Sequence, residues 1–143
     1  MEVGNVSQKG SIKVVTYISQ MTIPIENAKV FVYTERNNQR KLIGVRSTGK
    51  NGETTLIEIE TPDKKESLTP LENGSENPFA SVNIFIEAEG FRSVLVHDAQ
   101  VFADNVTLQN VEMVPLGEPA IREQDKTIDV FVTPQSLNIQ NGE

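Results

Sequence analysis

His97 is the one histidine in a chain of 143 residues, and Asp98 follows it. An imidazole beside a carboxylate can act as the general base for a serine nucleophile. That chemistry needs the hydroxyl presented on a sharp turn, and no Gly-x-Ser-x-Gly segment is present. A metal would require further imidazole or thiolate ligands, and the chain has no cysteine. His97 is therefore expected to be a structural residue at the end of a strand. Carboxylates are more numerous: Glu58 and Glu60, Glu87 and Glu89, and Asp98 and Asp104 around Val101 and Phe102. Paired acids can hydrolyse a glycoside, and clustered acids with carbonyl oxygens can hold calcium. None of these pairs has calcium-loop spacing, so they are expected to form a solvated face. No glycine-rich loop leads from a strand into a helix to cradle a phosphate. The expectation is a protein that is not an enzyme, with no catalytic residue, no cofactor and no metal.

Charge narrows the partners. Thirteen basic residues against twenty acidic ones give a net charge of -7, and the basic ones are scattered, so a nucleic-acid backbone would be repelled. No run approaches the roughly 20 apolar residues that cross a bilayer, so membrane insertion is not expected. The N-terminus lacks a basic segment followed by an apolar one, which predicts synthesis in the cytoplasm without a signal peptide. The absence of cysteine is compatible with any redox compartment.

The elements that must position these side chains are strands. Apolar residues recur at period two through Ile12, Val14, Thr16 and Ile18, then Ala28, Val30 and Val32. Lys41 to Thr48, Thr54 to Glu60, Ser81 to Ala88, Arg92 to His97 and Asn105 to Val114 follow, rich in β-branched and aromatic residues. Nothing carries a helical stripe. Thr48 to Glu53, with Asn51-Gly52 at its centre, predicts a hairpin turn. Seven such strands predict an all-β, seven-stranded Greek-key β-sandwich over residues 10–116, preceded by an extension over 1–9. Thr61 to Phe79, with three prolines, predicts a solvated crossover between the two sheets whose Lys64, Lys65, Leu68, Leu71 and Phe79 could make loop contacts. Past the breakers of Pro115 to Pro119 comes a linker and arm over 117–143. Within it Thr127 to Thr133 alternates again, a strand the sandwich does not need. It is expected to add to a sheet edge, of a neighbouring chain or of its own domain, through Ile128, Val130, Phe131 and Val132, with Leu137 beyond.

Gly10-Ser11-Ile12-Lys13-Val14-Val15, Pro24-Ile25-Glu26-Asn27-Ala28-Lys29-Val30-Phe31-Val32, the turn from Thr48 to Thr55, and Ala88-Glu89-Gly90-Phe91 stand in an order that resembles the carboxypeptidase regulatory-like (transthyretin-like) β-sandwich superfamily. The resemblance spans about Gly10 to Pro115 and implies a prealbumin-like sandwich. Ser67-Leu68-Thr69-Pro70, Asn77-Pro78-Phe79-Ala80 and Asn110 to Pro115 are similar to the N-terminal module of clostridial spore cortex-lytic and phage-associated proteins. Ala28, Pro24 and Gly90 suit a scaffold: a small residue between sheets, a fixed strand start and a bend. Phe79, Phe85, Phe91 and Phe102 are expected in the core or its seam. Pilin-type relatives crosslink a lysine to an asparagine beside an acid, and Lys13, Asn110 and Glu87 sit on strands that could supply the three groups. The plainer expectation is that they face solvent.

The functional expectation is a non-catalytic structural or adaptor subunit of a larger bacterial or phage-type assembly, such as a tail, baseplate or contractile particle, docked to other protein subunits through the arm. The alternative is a peptidoglycan- or spore-associated binding module that ends in spore or wall material.

Overall fold

The computed structural model describes residues 8–19, 22–61, 79–117 and 127–132. Nine strands run through them: β1 (Gln8–Ile18), β2 (Ile23–Pro24), β3 (Lys29–Arg36), β4 (Gln39–Ser47), β5 (Ile57–Thr61), β6 (Phe79–Glu87), β7 (Ser93–Phe102), β8 (Val106–Glu112) and β9 (Thr127–Phe131). They form a four-stranded sheet, in which β1 pairs with β2, β5 and β8, and a five-stranded sheet of order β4-β3-β6-β7-β9. The expected all-β sandwich is therefore present, with nine strands in place of seven. Among the described residues, sheet pairing runs from Gln8 and takes in β9.

Alternation builds the core. Ile12 and Val14 of β1, Val30 and Val32 of β3, Ile57 and Ile59 of β5, and Val82, Ile84 and Ile86 of β6 all turn inwards and are buried. In a two-layer sandwich the inner faces interdigitate, which is why every second residue is β-branched. Gly10 belongs to this seam for lack of a side chain: a Cβ there would overlap the carbonyl oxygen of Phe102 and stand 2.7 Å from Val101 Cγ1. Buried threonines close one end. Thr48 Oγ1 donates to the Ile25 carbonyl at 2.7 Å and accepts from the Ala28 amide at 2.9 Å. Thr16 Oγ1 donates to Ile25 O at 3.0 Å, and Thr54 Oγ1 accepts from the Val14 amide at 3.1 Å. Each hydroxyl satisfies a backbone group that burial would otherwise strand.

Two turns differ from expectation. Thr48 to Glu53 does reverse the chain, with Gly52 at φ +80° and its amide donating to Gly49 O at 2.9 Å. It is not a hairpin, however, because β4 lies in the five-stranded sheet and β5 pairs with β1 in the other. Gly52 packs against Thr16 and Pro24 as the chain changes layers. The hairpin lies instead between β3 and β4, at Asn37 and Asn38, both with positive φ (52° and 65°). Two consecutive left-handed residues make the turn whose twist matches the strands, and asparagine tolerates that conformation. β5 and β6 stand in different sheets; residues 62–78, where the crossover was expected, lie outside the described residues. Lys64, Lys65, Leu68 and Leu71 lie outside the described residues, as does Leu137.

β7 runs five residues past the expected end at His97. Ile84 faces Val96 and Val82 faces Ala99, so His97 and Asp98 together oppose Asn83 in a bulge. Asp98 takes φ +59°, and its amide donates to Asn83 Oδ1 at 3.0 Å. The extra residue resets the alternation from Val94 and Val96 to Ala99 and Val101, all buried.

Candidate functional site

The outward face of a sandwich sheet is usually polar, with single apolar residues scattered on it. The outer face of the five-stranded sheet departs from this. One registered row crosses four strands as Val45, Phe31, Phe85 and Leu95, and reaches Asp129 on β9. The next row reads Leu42, Tyr33, Asn83, His97 and Phe131. The Phe31 and Phe85 rings face each other across strands, with centroids 6.2 Å apart. Leu42 is 58% exposed, Val45 42% and Phe131 72%. Polar residues frame this band: Ser47, Lys29 and Glu87 on one side, Glu35, Arg40 and Ser81 on the other. Beyond Ser81, Phe79 pairs with Phe102 at 5.6 Å between centroids.

The expected place of the phenylalanines is thus corrected. Phe91 packs against the core, but Phe85 points outwards, and Phe79 and Phe102 form a pair in which Phe79 is 40% exposed. The reason is parity: Val82, Ile84 and Ile86 take the inner positions of β6, leaving the odd ones outside. Phe79 is the first residue of that strand and not part of the preceding connection.

The terminal strand joins the same face. β9 pairs in parallel with β7, Ser93 facing Thr127 and His97 facing Phe131, so the strand docks in cis on its own domain. Ile128 and Val132 turn inwards and pack on the core, whereas Val130 is 36% exposed and Phe131 lies on the outer face. Of the residues expected to engage a neighbour, Ile128 and Val132 instead hold the strand to its own sheet, and Phe131 is presented outwards. His97 clasps it there: its Nε2 is 3.0 Å from Asp129 Oδ1, and its ring stacks on Phe131 at 4.3 Å and 5°. The histidine is in the middle of β7, not at a strand end, and the acid it meets is Asp129, not its neighbour Asp98, which accepts from Ser81 Oγ at 3.2 Å.

The other chemistry considered from sequence is dispersed. Glu58, Glu60, Glu87, Glu89, Asp98 and Asp104 are exposed, and among the described residues no three histidine, aspartate or glutamate side chains gather as a metal site would need. Lys13 lies on the four-stranded sheet with its Nζ 3.1 Å from Glu53 Oε1, while Glu87 is exposed on the five-stranded sheet. The lysine, asparagine and acid of a crosslink therefore do not come together. Asn110 is exposed on β8. A groove of about 720 Å3 opens between β4 and β5. Its walls mix Arg36, Arg40 and Lys41 with Glu58 and Glu60, and Lys9 is drawn to Glu58 at 3.7 Å, so it presents no single charge to a ligand.

No family model matches this chain, and no curated protein matches it. Among solved structures, catechol 1,2-dioxygenase of Acinetobacter radioresistens superposes with a TM-score of 0.52 at 15% identity, over 90% of this chain and 59% of the enzyme. The Bacillus anthracis TIE protein gives 0.45 at 11% identity, over 76% of this chain and 17% of that one. GBS52, the minor pilin of Streptococcus agalactiae, gives 0.44 at 9% identity, over 82% and 49%. At such identity the dioxygenase likeness shows a shared β-sandwich fold and nothing of its chemistry. This chain spans little more than half the length of the enzyme.

Proposed function

We propose that this chain is a non-catalytic structural or adaptor subunit of a larger assembly, which docks a neighbouring protein on the outer face of its five-stranded sheet. The observation that carries this reading is the two-row apolar band from Leu42 and Val45 to Phe131, framed by charged and polar residues. Contiguous exposed apolar surface with a polar rim is the form of a protein-interaction site. The finer reading, a carboxypeptidase regulatory-like module serving a bacterial or phage-type tail, baseplate or contractile particle, rests on the sequence resemblance. Phe85→Asp tests the docking reading, since Phe85 is at the centre of the band and outside the core. Expressed in the native host, the wild-type chain is expected to sediment with high-mass particles and the variant to remain in the slow fraction with its fold intact. Equal sedimentation of the two would end this reading.

One observation favours a second reading, a peptidoglycan-binding module. Phe131 is 72% exposed and held flat against His97, so its free face is a platform on which a sugar ring could stack. Phe131→Ala should then abolish pelleting with peptidoglycan, and unchanged pelleting would remove the idea.

A further inference from the structure

Pairing within the five-stranded sheet stops early at one end. β3 and β6 are registered from Lys29 and Glu87 to Tyr33 and Asn83 and no further, although β3 continues to Arg36 and β6 begins at Phe79. Over those residues each strand keeps its other neighbour, Arg36 facing Gln39 of β4 and Phe79 facing Phe102 of β7. The sheet therefore parts there into two ribbons. A cleft of about 500 Å3 stands between them and reaches β5 of the other sheet, where Glu60 and Thr61 form part of its wall. We propose that this cleft binds a neutral saccharide. It uses neither Phe85 nor Phe131, so it goes beyond both readings above and stands or falls apart from them.

The deep side of the cleft holds an unmet hydrogen-bonding group. Thr61 faces inwards at the end of β5 and is 6% exposed, and its Oγ1 is buried with no hydrogen-bond partner. Gln8, its registered partner on β1, is in the same condition, with Oε1 buried and unpartnered. Buried polar atoms are almost always satisfied. Of the four buried threonines among the described residues, Thr16, Thr48 and Thr54 follow that rule through hydroxyl bonds to the backbone. Thr61 is the exception, and it lines the cleft.

The walls decide the class of ligand. Glu35 is held by Arg40 at 3.8 Å, but Arg36 and Glu60 enter no ion pair among the described residues. Asp98 accepts from Ser81 Oγ through Oδ1, and Asn83 accepts from the Asp98 amide through its own Oδ1, which leaves a carboxylate oxygen and an amide nitrogen open. An anion entering the cleft would meet the carboxylates of Glu60 and Asp98, and a cation would meet the Arg36 guanidinium. A hydroxyl both donates and accepts at one atom. An uncharged ligand with several neighbouring hydroxyls therefore serves the guanidinium, the amide, the carboxylates and Thr61 together, whereas an extended peptide offers N–H and C=O groups of one purpose each. Phe79, 40% exposed on the same wall, adds a ring face for the apolar side of a sugar. The volume lies in the range of small-molecule sites.

The purified full chain, applied to an array of neutral oligosaccharides, uronate- and sialate-bearing oligosaccharides and peptides, tests this. Retention by neutral saccharides above the other two classes is the expected result. Titrated against the best-bound neutral oligosaccharide, Arg36→Ala and Glu60→Gln, both at exposed positions, should each weaken binding about tenfold or more. Thr61→Val, which keeps the shape of the buried side chain, should do the same, and the two exposed variants decide the matter if it does not fold. Phe85→Asp and Phe131→Ala should bind as the wild type does. Binding to no neutral saccharide, a preference for acidic saccharides or for peptides, or wild-type affinity in Arg36→Ala and Glu60→Gln overturns the proposal. Loss of binding in Phe131→Ala alone overturns it too and assigns the saccharide to the ring on β9. Each of these outcomes leaves the docking reading to its own sedimentation test.

Discussion

Thr48 shows how much a single polar atom carries in this fold. Its hydroxyl bridges the Ile25 carbonyl and the Ala28 amide across a buried corner. Thr48→Val keeps the shape and strands the Ala28 amide, while the Ile25 carbonyl keeps the Thr16 hydroxyl, so a loss of about 1–3 kcal/mol is expected, read as a lowered urea midpoint with unchanged m. Gly10 is the second such position. Gly10→Ala drives a methyl into the Phe102 carbonyl, and strain of about 1–3 kcal/mol should follow, whereas alanine at the open Gly117 should be close to neutral. Residues of this kind were partly legible. The inward Ile, Val and Thr positions followed from alternation, because period two needs no long-range knowledge. The role of His97 did not follow, because its partners Asp129 and Phe131 are more than thirty residues away and only the pairing of β9 with β7 brings them together.

At the scale of elements, β9 is the weakest member of its sheet. It has five residues, four of them exposed, and among the described residues it is joined to β7 alone. Its attachment depends on Ile128 against the core and on the His97 clasp. His97→Ala is expected to cost about 1 kcal/mol locally, so amides of Thr127 to Phe131 should exchange about fivefold faster with deuterium while those of β6 are unchanged. Ile128→Asp should release the strand altogether, since it would bury a charge against the core; unaltered exchange in β9 would contradict the cis packing. The strand itself was visible in the sequence as a surplus alternating segment, but whether it paired with its own sheet was not, because an edge strand's pattern is the same for either partner. The bulge at His97 and Asp98 hid the end of β7 for a related reason: one inserted residue breaks the alternation, although the strand continues. Asn51-Gly52 signals a left-handed turn without saying which sheet the next strand joins, so the crossing at Thr48 to Glu53 has the sequence pattern of a hairpin.

For the whole molecule, the core accounts for the inner faces of the two sheets, and the outer band of the five-stranded sheet is the surface on which the proposed docking rests. A core of alternating β-branched residues needs only the inner faces of both sheets. The aromatic and aliphatic row on the opposite face of the five-stranded sheet adds nothing to that core, and it leaves Leu42, Val45 and Phe131 exposed, the kind of surface that the proposed neighbour would cover. This face was not legible beforehand, because its rows join residues from five strands and appear only once sheet order and the bulge at His97 and Asp98 are known. The most direct measurement is hydroxyl-radical footprinting of the chain free in dilute solution and within high-mass material from its native host. Strong protection of Tyr33, Phe85 and Leu95 in the assembled state, with Tyr17 on the four-stranded sheet labelled equally in both, is the predicted result. Equal labelling of all four residues in both states would contradict the claim that this face docks a neighbour.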